Sequence, residues 1–331
     1  MKIAGGLGFY WNTPTSAQIG LDPRIALRLH NVTLNELRLI DTLTSSQTPA
    51  EFRRLAKRHR VTAARAQEIL ASLSEQGIIA DEEPYFPDSQ LRQRIQGADS
   101  RGRNAVSIEF SRFDALGAGI AIHLAMAGIS SIATPDATRV GEYDYPLISR
   151  RYAGIARHKA LHSMMATLNP GVRVTPPTNP HFAIVTGFHA ADPFATSRYL
   201  ARGIPVLQAC IEEVDICVGP VLEPQSSPCP GCIHLHRIDS TPKWENLAPQ
   251  ALAGKPLFAE ISSLNMAVSL AAREVLNYLD YGSTSLTSYQ WIVPPSPRAA
   301  KRVSVIPHPR CNCTELAEPK GQLTGSNTSL Q

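Results

Sequence analysis

The stretch Val106-Ser-Ile-Glu-Phe-Ser-Arg-Phe-Asp-Ala-Leu-Gly117 decides how the chain is read. It opens with a strand-like apolar run, Val106 to Ser111, and from Gly117 the chain continues into small and apolar residues, Ala118 to Ala127, at helical spacing. Gly128 stops that helix, a second apolar run follows at Ile129-Ser-Ser-Ile-Ala133, and Asp136 stands just past its end. Strand, turn, helix, strand and acid in that order form the unit on which α/β proteins bind nucleotides. Phosphates sit at the helix N-terminus and the ribose on an acid about 20 residues later. Gly117 and Asp136 are 19 residues apart, which fits. The loop departs from the pattern, because the two glycines that let backbone approach the phosphates are Arg112 and Asp114 here. An acid there repels phosphate and a Cβ blocks close approach. The expectation is a nucleotide-binding fold that has lost its nucleotide, which leaves ATP doubtful as a cofactor.

Composition sets the frame around this unit. The chain has 331 residues, enough for two domains, and 43 % hydrophobic with 18 % charged residues is the balance of an ordinary globular protein. No apolar run approaches the ~18 residues needed to span a bilayer, and the N-terminus lacks the apolar core of a secretory signal. No membrane association and a cytoplasmic address are expected. A net charge of +4 is small for this length and by itself points to no nucleic acid.

Six cysteines are present. Cys210 and Cys217 lie in apolar strand-like runs and read as small buried hydrophobes. The other four form two close pairs, Cys229/Cys232 and Cys311/Cys313, and in a cytoplasmic chain such pairs favour a metal over disulfides. Cys-x-x-Cys spacing places two sulfurs on one side of a turn, and the second pair completes a closed tetrahedron of structural type. His234, His236 and His308 are nearby alternatives as ligands and rank lower, because four thiolates suffice.

Residues 1–83 read as a separate winged-helix-like module of short strands followed by three helices. Thr33 with Glu36 and Thr48 with Glu51 are capping boxes, and a third helix runs from about Thr62 to Gln76 before Gly77. Such a module raises DNA binding, since the second helix carries Arg53, Arg54, Lys57, Arg58, His59 and Arg60. The third helix offers mainly Ala, Leu, Glu and Gln, with only Arg65 placed to read a base edge, so nucleic acid is an unlikely partner. Residues 84–105 read as a linker, 106–316 as the α/β domain, and 317–331 as a disordered polar tail. Strands alternating with helices across the α/β domain predict a Rossmann-like, mostly parallel sheet. The helix from Ala259 to Tyr281, apolar on a broad face, is expected to pack on the sheet or on a second subunit.

Residues 106 to about 314 resemble the ThiF/MoeB-type activating enzymes, bacterial relatives of ubiquitin-activating enzymes that adenylate the C-terminus of a small protein. The likeness rests on Gly117 with Asp136, on Arg157-His-Lys159-Ala160 followed by Leu168-Asn-Pro170, and on the paired cysteines. Val218-Gly-Pro220, Pro228-Cys-Pro-Gly-Cys232, Leu235-His-Arg237 and Pro307-His-Pro-Arg-Cys-Asn-Cys313 are similar to a divergent branch from the biosynthesis of thiazole/oxazole-modified peptides. Phe9-Tyr-Trp11 and Gln18-Ile-Gly-Leu-Asp22 resemble that branch's N-terminus.

The resemblance implies a structural zinc on Cys229, Cys232, Cys311 and Cys313. It implies Asp136 as the ribose acid, Lys159 on phosphate, Arg150 or Arg151 on the triphosphate, and a homodimer. It also implies a magnesium-binding aspartate where Gly187 stands, so a catalytic set is not expected and the chain reads as a degenerate adenylyltransferase. In that branch the N-terminal module binds the leader of a ribosomal precursor peptide and presents it to a partner modifying enzyme, a YcaO-like cyclodehydratase. An extended leader adding as a strand beside the third helix would meet Ile69, with Lys57 and Arg65 at the rim favouring acidic residues. The alternatives are an ATP-dependent adenylyltransferase acting on a peptide or ubiquitin-like C-terminus, and a winged-helix DNA-binding regulator.

Overall fold

The computed structural model describes residues 1–4, 6–80, 88, 100–168, 171–174, 178–226 and 228–313. The expected tail and most of the expected linker lie outside them. The chain divides into two compact units, Met1–Gly102 and Arg103–Gln331. No described helix is long and apolar enough to cross a membrane.

In the first unit, β2 (Phe9–Thr13), β3 (Ser16–Ile19) and β4 (Leu27–Leu29) form an antiparallel meander. Helices α1 (Leu34–Asp41) and α2 (Pro49–Arg58) follow, and both start from complete capping boxes. The Thr33 and Thr48 hydroxyls accept from the amides of Glu36 and Glu51, whose carboxylates accept from the threonine amides at 2.7 and 2.8 Å. Helix α3 (Ala63–Glu75) is capped by Thr62, and Gly77, at φ +68°, takes the left-handed turn that ends it. The chain then returns as β5 (Ile79–Ala80), antiparallel to β1 (Lys2–Ile3). Ile19, Leu39, Leu43, Phe52, Ile69 and Leu73 share one core with Ile3 and Ile78.

The second unit is built on a seven-stranded sheet in the order β12-β11-β10-β9-β8-β6-β7. β6 (Ser107–Phe110), β7 (Ser131–Ala133), β8 (Phe182–Phe188) and β9 (Val206–Ile211) are parallel. β10 (Ile216–Leu222), β11 (Tyr289–Val293) and β12 (Lys301–Ser304) extend the sheet by antiparallel pairing, so five of the seven strands point the same way. Beside β7, the run Val172–Val174 forms only a single parallel bridge, from Arg173 to Ser131.

Helix α4 (Ala115–Met126) begins three residues earlier than its small-residue run suggests, because Asp114 caps it. Helices α5 (Pro146–Tyr152), α6 (Arg157–Leu168) and α7 (Pro193–Leu200) precede β9. Helices α8 (Pro230–Ser240), α9 (Trp244–Leu252) and α10 (Ile261–Tyr281) separate β10 from β11. The apolar face of α10 is buried within this unit against α4 and the sheet. Their close approach needs Gly119, where a Cβ would stand 2.6 Å from the Val268 side chain.

Candidate functional site

The crevice beyond the carboxyl ends of β6 and β8, where the strand order changes direction, is where an open α/β sheet binds its ligand. The Asp114 carboxylate fills the α4 end of that crevice. Its Oδ1 accepts from the Gly117 amide at 3.0 Å, while Oδ2 is buried with no hydrogen-bond partner. The helix N-terminus that would hold phosphate is thus capped by the chain's own negative charge. Gly117 is required here for a different reason from the expected one. A Cβ at this position would lie 2.4 Å from the Arg112 carbonyl oxygen, so the glycine serves the loop's own fold.

Asp136, the expected ribose acid, is 8 % exposed and fully engaged. Its Oδ2 accepts from the Phe113 amide at 2.9 Å and from Arg157 Nη1 at 3.1 Å. Its Oδ1 accepts from the Thr138 amide and hydroxyl at 3.0 and 2.6 Å. Burial works to raise its pKa, but the Thr138 and Phe113 hydrogen bonds and the Arg157 charge outweigh it and hold the carboxyl below its ordinary range. The bond from Phe113 matters most for function, since it ties the acid to the degenerate loop.

Arg157 donates through Nη2 to Asp144 at 2.7 Å and so bridges two buried acids. Burial would lower its pKa, but the charges of Asp144 and Asp136 raise it above the ordinary arginine value. Asp144 also accepts from the Gly141 amide at 2.8 Å, and there burial prevails and pushes the pKa up.

Lys159 lies in a shallow groove with Thr134, Pro135, His158, His162 and Ser163, and the neighbouring His158 amide donates to the Asp136 carbonyl at 3.0 Å. Arg150 and Arg151 lie in the last turn of α5, where Arg151 lies over the Tyr152 ring. At Gly187 a Cβ would meet the Ala190 carbonyl oxygen at 2.7 Å. The backbone after β8 therefore crowds any side chain at Gly187, an aspartate included. These residues do not fit ATP with its magnesium.

The four thiols do converge. Cys229 sits at the N-cap of α8 with Cys232 one turn on, and their Sγ atoms lie 3.6 Å from Cys311 and 3.3 Å from Cys313, respectively. All four sulfurs lie within 4.8 Å of one another and none is in a disulfide. A tetrahedral zinc with ~2.3 Å Zn–S bonds needs sulfurs about 3.8 Å apart, so the donor set and its spacing fit that ion. Without a cation, burial and the neighbouring thiols push the Cys229 pKa up to about 12, and a bound metal reverses that preference. Two of the histidine alternatives are engaged elsewhere, and His234 lines a separate cavity. His308 Nδ1 accepts from the Arg310 amide at 3.1 Å and Nε2 bonds Asp239 at 2.7 Å, while His236 bonds the Ile306 carbonyl.

A second cavity, of about 800 Å³, lies between α8, α9 and one face of strands β9 to β12. Gln208, Cys210, Cys217, Gln290 and Ser304 form its floor, and Arg237, paired with Glu212 at 3.3 Å, lies over Trp244 at its wall. Cys210 and Cys217 oppose each other in register, and burial raises both thiols, Cys217 to about 12.

In the first unit, Lys57 is exposed on α2. Arg65 pairs with Glu36 at 2.6 Å and Glu68 at 3.1 Å, and Ile69, 8 % exposed, packs into the core of its own unit.

No protein-family model and no curated protein matches the sequence. Solved structures do. E. coli MccB with ATP aligns at a TM-score of 0.59 and 14 % identity, over 94 % of this chain and 98 % of that one. The microcin C7 biosynthetic enzyme MccB in complex with N-formylated MccA aligns at 0.56 and 13 %, over 94 % and 98 %. PaaA aligns at 0.61 and 14 %, over 91 % and 98 %. The chain has the MccB fold.

Within the MccB fold, three residues carry roles that sequence reading missed. Asp114 had a local signal, as an N-cap residue three positions before a glycine amide. Asp144 and Arg157 had none, because residues 13 apart in sequence meet only through the turn after β7 and the start of α6.

Proposed function

We propose that this chain is a non-adenylating scaffold of MccB fold, which binds the leader of a ribosomally made precursor peptide through residues 1–83. It presents the peptide to a partner modifying enzyme of the azoline-forming, cyclodehydratase type. Asp136 carries the reading: the acid that would take a ribose is spent on Phe113, Thr138 and Arg157. A nucleotide would have to break that set and displace Asp114 from the α4 N-terminus, with no acid at Gly187 to hold its cation. The peptide half of the reading draws on MccB, whose solved structures hold the precursor MccA.

Cys229, Cys232, Cys311 and Cys313 would hold a zinc whose role is structural, since four thiolates leave no position for water or substrate. When bound, the ion supplies folding free energy. The DNA-regulator alternative loses its support at Arg65, the one expected base reader, because Glu36 and Glu68 occupy its guanidinium.

Two measurements test the proposal. Calorimetric titration and pyrophosphate exchange are expected to show no ATP binding and no exchange at millimolar ATP. Micromolar ATP affinity would move the chain to the adenylyltransferase reading. The leader of a precursor encoded beside this gene is expected to bind the full chain and not a chain lacking residues 1–83. Equal affinities would overturn the assignment.

A further inference from the structure

The proposal above leaves the chemistry of the peptide open, and the distribution of charge narrows it. Residues 1–80 contain ten Lys and Arg against six Asp and Glu, a surplus of four that equals the net charge of the whole chain. The surplus is concentrated on α2. Phe52 and Ala56 turn one face of that helix into the core, while Arg53, Arg54, Lys57 and Arg58 stand exposed on the other, continued by Arg60 just past its end. Among the described residues none of the five makes an ion pair. Glu51, the sole acid on the helix, accepts from the Thr48 amide at 2.8 Å and hydroxyl at 2.7 Å as part of the capping box.

A solvated surface helix ordinarily mixes signs, because like charges at i,i+3 and i,i+4 destabilise it by ~0.2–0.5 kcal/mol per pair. Here Arg53 with Lys57, Arg54 with Arg58, and Arg54 with Lys57 are such pairs. The helix dipole favours cations in the last turn, which accounts for Lys57 and Arg58 but not for Arg53 and Arg54 in the middle. What relieves this repulsion is a negatively charged partner laid along the helix.

We infer that the exposed face of α2 is a docking surface for an acidic peptide segment. The inference rests on the peptide-binding reading of the first unit, and it assigns both the surface and the charge of what it takes. A peptide is favoured over nucleic acid because the neighbouring face of α3 is unsuited to a polyanion. Glu68 and Glu75 are exposed there, and the Arg65 charge is spent on Glu36 and Glu68. The patch spans one ten-residue helix, about 15 Å at 1.5 Å per residue, which matches four or five residues of extended peptide.

The test uses the full chain and fluorescence anisotropy at low and at physiological salt. The probes are a labelled twelve-residue Glu/Asp-rich peptide, a Lys-rich peptide of the same length and a twelve-base-pair duplex. The expected result is salt-sensitive binding of the acidic peptide alone, weakened tenfold or more in Arg53→Glu/Arg54→Glu. The milder Arg54→Gln/Arg58→Gln, with unchanged circular dichroism, is expected to lose about threefold. An unchanged affinity in both variants, or duplex binding tenfold tighter than peptide binding, overturns the inference. If the native leader binds and neither variant weakens it, the α2 surface falls while the scaffold reading stands. If the leader does not bind at all, the scaffold reading falls, and the acidic peptide still reports on α2.

Discussion

Replacing Arg157 by methionine removes the guanidinium that bridges Asp136 and Asp144 and leaves the rest of both acids' hydrogen bonds in place. All three side chains are buried, at 8 % exposure or less. Removing one partner of a buried ion pair costs ~3–5 kcal/mol, because the remaining charge is left without compensation. Asp144, whose pKa burial already raises, takes up a proton in the variant and recovers part of that cost. About 3 kcal/mol at pH 7 is therefore expected, a fall in melting temperature of roughly 6–12 °C for a unit of this size.

The pH dependence has a defined sign. In the native chain the lowered pKa of Asp136 contributes stability above its unfolded value, and that contribution is lost as pH falls through the folded one. In Arg157→Met the loss of the guanidinium raises both folded pKa values relative to the native chain, so acidification from pH 7 toward the unfolded carboxylate range costs the variant less stability than it costs the native chain. The deficit against native protein is expected to shrink over that range. Guanidinium unfolding at pH 7 and pH 5 measures it, with Trp244 and Trp291 as reporters in this unit. A loss below about 1 kcal/mol, or one that is the same at both pH values, would refute the bridging role.

Two further outcomes follow from the same geometry. Protein prepared without chelators is expected to contain about one zinc per chain and to lose it, together with thermal stability, in Cys232→Ser; metal analysis that finds none while all four thiols titrate as free would remove the zinc assignment. Gly187→Asp restores the acid that the resemblance asks for, but its Cβ meets the Ala190 carbonyl, so it is expected to cost ~1–3 kcal/mol and gain no ATP binding in calorimetry.

What was legible in the sequence was what local chemistry writes. Both capping boxes, the Thr62 cap, the Gly77 stop and the strand–helix–strand unit around Gly117 depend on neighbours a few residues apart. The cysteine spacing carried the thiol cluster because Cys-x-x-Cys fixes two ligands at once. The antiparallel extension was not legible, since β10 has the same apolar run as a parallel strand, β12 (Lys-Arg-Val-Ser) has none, and direction is set by distant pairing. Nor was the use made of the acids. Asp136 has the same neighbours in sequence whether it faces a ribose or Arg157, and only the return of α6 brings the guanidinium to it. Ile69 shows the limit of periodicity, because helical spacing marks a buried face without saying whether the chain's own core or a peptide covers it.

The carboxylate of Asp114 also bears on descent. Suppose a lineage with this loop came under selection to use ATP again. Changing Asp114 to glycine would clear the phosphate position and remove the side-chain cap of α4 at a cost of only a few tenths of a kcal/mol. The ribose acid would still be held by Phe113 and Arg157, so that first step would bring no catalytic return. Releasing Asp136 first is no better, for it takes one of two buried acids from Arg157 while phosphate remains repelled. Neither single step brings nucleotide binding by itself, so the self-capped loop stands in the way of a stepwise return to ATP.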